Sequence, residues 1–325
     1  MVPVSDSNPL LIPFASMQSD GCRQAMRELP LPHLEKLLAH LQPGDIDMGE
    51  LESLSMPHER LLARAAGIEA ADGCLPLAAL QLAQAGLEAP REACAWITPC
   101  HWRVGTDHVA MANPGEMELT QADSMAVLAA IRPFFEEDGI AIEYESPLRW
   151  IARGEIFRAL PTASLDRVAG RGLGTWMPRT PQAGALRRLQ QEMQMLLYTH
   201  PVSDARQASG LVPVNSFWAS GAGALPDGYT PAPAPRWRVD DRLRVPALKD
   251  DGAAWAAAWR DIDATELPRL LAALDAGSHV SLALCGERSA QAWQSRDNSG
   301  YWGKVGASLA GLLGRKQAVA TLEAL

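Results

Sequence analysis

No stretch of this chain approaches the about 20 consecutive apolar residues that a helix needs to cross a bilayer. Met1 to Pro9 holds no basic region leading into a long apolar segment, and Leu10-Leu11-Ile12-Pro13-Phe14-Ala15 is too short for a secretory signal. Cysteine is sparse: Cys22, Cys74, Cys94, Cys100 and Cys285 form no CxxC, which excludes a zinc ribbon and a disulfide scaffold. These absences lead us to expect a protein of the reduced cytoplasm with no membrane association. Cations are also in deficit. With 29 Lys+Arg against 38 Asp+Glu, a surface of net charge −9 repels phosphate backbones, so no nucleic-acid partner is expected, while a local basic pocket stays open. No internal repeat is present.

What the sequence does have is apolar material: 47% of its 325 residues, enough for one large domain or two interlocked ones. Leu10 to Ala15 reads as a buried strand that ends at Pro13. Helices are expected from about Asp20, over Pro32 to Leu41 with Pro43-Gly44 as its stop, over Pro57 to Ala66, and over Pro76 to Ala85. Cys94 to Val104 and His108 to Ala112 read as β-structure around Gly105-Thr106. Thr120 caps a helix, Ile140 to Tyr144 and Leu148 to Ile151 read as strands, and Pro181 to Tyr198 carries helical spacing. A loop, a strand over Val212 to Trp218 and a turn at Gly221-Ala222-Gly223 are expected next. Tyr229 to Pro235 reads as a proline-rich connector, followed by a helix over Glu266 to Leu274, a strand over His279 to Leu284, and helical spacing at Leu309, Leu312 and Leu313.

Several groups of residues could carry chemistry. His200, Asp204, Arg206 and Asn215 either line a pocket for an anionic small molecule, with Arg206 as a bidentate partner, or form a capped, hydrogen-bonded loop. Gly221 and Gly223 either let the backbone approach a phosphate or make a turn. Arg149, Arg153, Arg158, Arg167 and Arg171, with Asp166, form either a recessed anion site or a salt-bridged face. Cys100, His101, Asp107 and His108 are the best metal-like cluster, although they lack standard ligand spacing and read more readily as paired strand residues. Trp237, Trp255, Trp259, Trp293 and Trp302 read as packing residues.

The most distinctive stretch is His200-Pro201-Val202-Ser203-Asp204-Ala205-Arg206, Gly210, and Pro213-Val214-Asn215-Ser216-Phe217-Trp218-Ala219-Ser220-Gly221-Ala222-Gly223. It resembles the HPVN-x-x-R, G-x-x-P-x-N-x-x-W-x-x-G-x-G stretch of archaeal-type cofactor-independent phosphoglycerate mutases, of the alkaline phosphatase superfamily, with Ser203 in place of the usual Asn. Leu10 to Ala15, Leu31 to Leu37, Asp72 to Gly86 and Leu119 to Arg153 resemble further parts of that family in the same order. Gln191 to Val202, Glu143 to Trp150 and Leu160 to Arg167 are similar to the RpfE-type regulatory proteins.

The resemblance implies an α/β fold: an alkaline-phosphatase-like core sheet flanked by helices, formed by residues 1–71 and 181–325, with a smaller α+β domain inserted at 72–180. It also implies a Ser nucleophile and two metal ions held by Asp and His. The first such Asp should follow the opening strand, where Pro13-Phe14-Ala15 stands, leaving Ser16 or Ser19 without an activating ligand. Asp275-Ala276-Gly277-Ser278-His279 is the nearest approach to a late D-x-x-G-H, and His279 is the only histidine after His200. We therefore expect no catalytic residue, metal or cofactor. The expected function is a non-catalytic regulatory or ligand-sensing protein. Its ligand would be a small phosphorylated or carboxylated metabolite contacted by His200, Asp204, Arg206, Asn215, Trp218, Gly221, Gly223, Arg153 and Arg167, and a protein partner would complete the role. The alternatives are a metal-dependent mutase or phosphatase and a structural partner-binding subunit.

Overall fold

A computed structural model describes residues 9–86, 92–106, 108–230, 237–295 and 315–325. The chain divides into two compact units: Met1–Leu51 with Pro233–Leu325, and Glu52–Ala232. Both combine sheet and helix, so the α/β class with an inserted unit holds. The boundaries lie elsewhere than at 71/72 and 180/181, and the inserted unit is the longer of the two. The reason is strand pairing. Ser216–Gly223 runs antiparallel to Cys94–Cys100, with Thr98 opposite Trp218 and Cys100 opposite Ser216, so everything up to residue 223 belongs with the insert. No described helix is long and apolar enough to cross a membrane.

In the first unit, β1 (Leu10–Ile12) is a run of three buried apolar residues, the pattern of a strand covered on both faces. It pairs in parallel with β9 (Arg238–Val239) on one side and β10 (Ser281–Cys285) on the other. β11 (Ser289–Ser295) continues antiparallel from β10, and β2 (Leu41–Met48) closes the far edge, giving the order β2-β11-β10-β1-β9. Pro43 and Gly44 therefore do not simply stop a helix. They sit in an edge strand, next to a register shift on β11, where a missing N–H is tolerated. Helices α1 (Asp20–Arg27) and α2 (Pro32–His40) follow the expected spans.

A helix absent from our reading, α10 (Gly252–Thr265), is capped by Asp251, whose carboxylate accepts from the Ala254 N–H at 2.9 Å. Its alanine-rich run has high helix propensity but only a thin apolar stripe, formed by Trp255, Trp259 and Ile262. Asp263, two residues from its end and almost fully buried, receives the Leu34 N–H at 2.9 Å and the His33 N–H at 3.3 Å. One helix thus supplies the acceptor for another helix's orphan amides. α11 (Leu267–Asp275) matches expectation, and Asp275 to His279 forms its terminal turn, with Ser278 N–H donating to Ala273 O at 2.9 Å. The helical spacing at Leu309 to Leu313 and most of the Tyr229 to Pro235 connector lie outside the described residues.

The inserted unit is built on an antiparallel sheet ordered β6 (Ala141–Ser146), β7 (Arg149–Arg153), β3 (Cys94–Cys100), β8 (Ser216–Gly223). Alternate residues of β3 face opposite ways. Ala95 and Ile97 join Trp150, Phe217 and the apolar faces of α5 (Gln121–Glu137) and α7 (Gly184–Tyr198). Cys94 and Trp96 pack with Ile151 and α4 (Leu77–Gln84). A third, smaller cluster at one end holds Cys100, Met111, Ala163, Val168, Leu173 and Trp218.

Two expectations change here. Residues 201–208 are a helix, α8, rather than a loop, because Pro201 suits a first turn and His200 caps it. Gly221 to Gly223 is not a turn but the bulged end of β8, opposite a register shift between Cys94 and Trp96. Gly221 has φ +60, and a Cβ there would lie 2.8 Å from the Trp96 ring; at Gly223, with φ +150, it would lie 2.9 Å from Pro76 Cβ and 3.1 Å from Pro76 Cα. Gly223→Ala should therefore cost about 2–3 kcal/mol, read as a lower urea midpoint at unchanged slope.

Candidate functional site

In open α/β sheets, ligands sit beyond the carboxyl ends of the parallel strands. In the first unit that place is the end of β1. The chain leaves it through Pro13 and Phe14, the latter at φ +57 with its ring buried. Trp255 Nε1 donates to Phe14 O at 2.9 Å, and Trp259 Nε1 donates to Ala15 O at 3.1 Å. The two indoles meet edge to face, 6.3 Å apart. Ala15 N–H closes back onto Cys285 O at 2.8 Å. The residues that follow β1 thus bring a buried ring and no carboxylate. Asp20 is exposed on α1, and the buried Ser16 hydroxyl has no hydrogen-bond partner among the described residues. Among the described residues, no group of three or more His, Cys, Asp or Glu side chains is placed to hold a metal ion. The described residues do not fit the two-metal centre that the resemblance implies.

The His200–Gly223 stretch lies in the inserted unit, and its polar side chains face the backbone. His200 Nδ1 accepts from the Val202 N–H at 3.3 Å as the cap of α8, and Asp204 is exposed in that helix's first turn. Arg206 is 2% exposed. Its guanidinium donates to Val212 O at 3.0 Å, Asp123 Oδ2 at 2.7 Å and Met117 O, with Glu118 O at 3.5 Å. Asn215 holds the main chain of Trp102 at two points, accepting its N–H at 2.7 Å and donating to its carbonyl at 3.0 Å. Trp218 is buried and donates Nε1–H to Ala163 O at 2.9 Å. This geometry supports the capped, hydrogen-bonded reading of the stretch.

The arginines do not converge on a recess. Arg149 pairs with Glu145 at 2.8 Å, Arg153 with Glu143 at 2.9 Å, and Arg158 with Glu155. The hydrogen bond to Glu143 raises the pKa of Arg153 further. Arg167 alone is buried, with its guanidinium 5.6 Å from the Trp176 ring and a hydrogen bond to Ser55 O at 3.3 Å. It belongs to a polar cluster of which the sequence marks Asp166 but neither Glu59 nor Ser164. Glu59, at the third position of α3 (Pro57–Ala65), turns its carboxyl inward. There it accepts the Ser164 hydroxyl at 2.7 Å and the Met56 N–H at 2.8 Å. Burial pushes its pKa up to about 7, against the opposing pull of Ser164, while Asp166 adds to the rise. Asp166, on the short helix α6 (Leu165–Val168), lies 3.7 Å from His58 Nε2. The available signal was local: Glu59 at capping-box spacing and Ser164 just ahead of Leu165-Asp166.

Among the described residues, the metal-like cluster does not form a metal-binding group. His101 Nδ1 donates to Pro213 O at 2.9 Å, and burial lowers its pKa. Cys100 is fully buried, which drives its thiol pKa up, away from the thiolate a metal requires. His108 is exposed beside the turn, and Asp107 lies outside the described residues.

Two measurements check these assignments. Replacing Arg206 by Met leaves three carbonyls and Asp123 without their donor, so a loss of about 3–5 kcal/mol is expected in urea unfolding. Glu59 is held protonated in the fold, so its contribution is complete below about pH 4.5 and is lost as pH rises through about 7. Glu59→Gln keeps both hydrogen bonds without the ionisation. It should match the native chain at pH 5 and exceed it by on the order of 2 kcal/mol at pH 8.

No family model matches this chain, and no curated protein does. Among solved structures, it is similar to a cofactor-independent phosphoglycerate mutase from Thermoplasma acidophilum. The match has 13% identity over 93% of this chain and 95% of that one, with a TM-score of 0.36. It is also similar to the PH0037 protein from Pyrococcus horikoshii, at 12% identity over 98% of each chain and a TM-score of 0.44. Neither likeness is high enough to assign this chain a family or an activity.

Proposed function

We propose that this chain is a non-catalytic binding protein with a regulatory or ligand-sensing role. The observation that carries the reading is the end of β1, where an α/β sheet would hold its substrate: Phe14 is buried there, and the buried indoles of Trp255 and Trp259 bind the Phe14 and Ala15 carbonyls. Hydrogen-bonded indoles are a costly plug to remove, because opening the crevice would strand the Phe14 and Ala15 carbonyls. The internal commitments of Arg206 and Arg153 argue that an anionic metabolite is not gripped by those two side chains.

A second reading, a structural partner-binding subunit, is favoured by Met195 and Tyr198. They stand three residues apart on α7, exposed by 70% and 82%. Native mass spectrometry that finds a stable hetero-complex, lost in Tyr198→Ser and indifferent to small molecules, would favour it.

The main reading is tested by incubating the chain with 2- and 3-phosphoglycerate and with p-nitrophenyl phosphate in the presence of manganese. Turnover no higher than the protein-free blank is expected. Turnover abolished by a chelator would overturn the proposal.

A further inference from the structure

The inserted unit carries a cleft of about 450 Å³ between the hairpin formed by β4 (Trp102–Val104) and β5 (Val109–Met111) and the segment around Leu173 to Met177. This is within the range of small-molecule sites. Its walls are Trp102, Val109, Leu173 and Met177, with Thr106 and His108 exposed at its rim. Among the described residues that line it, none carries a charged carboxylate, ammonium or guanidinium.

The walls are fixed rather than loosely draped. Asn215 grips both backbone groups of Trp102, and Ala112 N–H donates to His101 O at 2.8 Å. The two segments are joined where they meet, with Leu173 N–H donating to Val109 O at 2.8 Å and Met111 N–H to Arg171 O at 3.0 Å. Arg179 donates to Gly174 O at 3.0 Å and Arg187 to Pro178 O at 2.7 Å, pinning the segment that carries Met177. Beneath lies the cluster of Cys100, Met111, Val168, Leu173 and Trp218, against which Trp102, Val109 and Met177 pack while remaining partly accessible.

An indole and a thioether held on opposite rigid walls, with hydroxyl and imidazole groups at one edge, suit a flat apolar guest. Aromatic faces stack in offset geometry, and sulfur favours an aromatic edge. Against these apolar walls a charged guest would lose hydration, and no carboxylate, ammonium or guanidinium is among the described residues that line the cleft. We propose that this cleft is a binding site for an uncharged, planar aromatic molecule that lies between Trp102 and Met177 and presents its polar edge to Thr106 and His108. The proposal does not depend on the reading of the β1 end and holds whether or not the chain is an enzyme.

The test uses N-phenyl-1-naphthylamine, an uncharged fluorescent aromatic, and its sulfonated counterpart 1-anilinonaphthalene-8-sulfonate. Titration of the full chain should give saturable binding of one N-phenyl-1-naphthylamine per chain. The sulfonated probe should bind at least tenfold more weakly and fail to displace it. Trp102→Ala and Met177→Lys should each weaken binding tenfold or more. If Trp102→Ala does not fold, Gly174→Leu serves instead. A Cβ at 174 meets nothing within 4 Å, so the added side chain can occupy open space beside the lining, and it should weaken binding similarly. Val245→Ser, at an exposed position of the first unit, should leave binding unchanged. Absence of saturation up to the solubility limit, equal or tighter binding of the sulfonated probe, or undiminished binding in both Met177→Lys and Gly174→Leu would overturn the proposal.

Discussion

A backbone carbonyl or amide cut off from water must find a partner inside the protein, and in this chain that demand consumes most of the polar side chains that look functional. Arg206 ties together the carbonyls of Met117, Glu118 and Val212. Asn215 completes the main chain of Trp102, Asp263 receives the first amides of α2, and the indoles of Trp255 and Trp259 cover the carbonyls that follow β1. Each is a joint between segments distant in sequence. Each also removes from solvent a group that could otherwise have met a ligand.

The same economy explains what was legible. Local features read well, because α2, α3, α5, α7 and α11 carry their own apolar spacing and boundary residues, and Thr120 accepts from the Asp123 N–H as a cap should. Non-local features did not. β2 contains Pro43-Gly44 and is mostly exposed, so nothing in its own residues separates it from a helix stop; its pairing with β11 defines it. α10 hides because its run of alanines gives weak contrast between faces. The unit boundary is not legible, because pairing of β8 with β3, about 120 residues earlier, leaves no mark in either segment alone.

For the site, residue types were legible and their allegiances were not. Arg206 is needed where it stands, but four partners contributed by three segments decide that it faces inward. Conversely, Glu59 looks like an ordinary helix-start carboxylate. Burial beneath a segment more than a hundred residues on, with Asp166 adding to the effect and Ser164 opposing it, turns it into a group that holds its proton near neutrality. Nothing in their own sequence marks Trp102 and Met177 either, because a cleft is a property of two backbones brought together.

The pairing of β1 also orders events in time. Leu10, Leu11 and Ile12 find their neighbours only in Arg238–Val239 and Ser281–Cys285, so both partners of the first strand are synthesised after the whole of the inserted unit. During translation, Glu52–Ala232 can complete its own sheet while the opening strand is still unpaired. The first unit is therefore assembled last and across the longest loops, the order that slows folding and leaves an apolar strand edge exposed while the chain emerges.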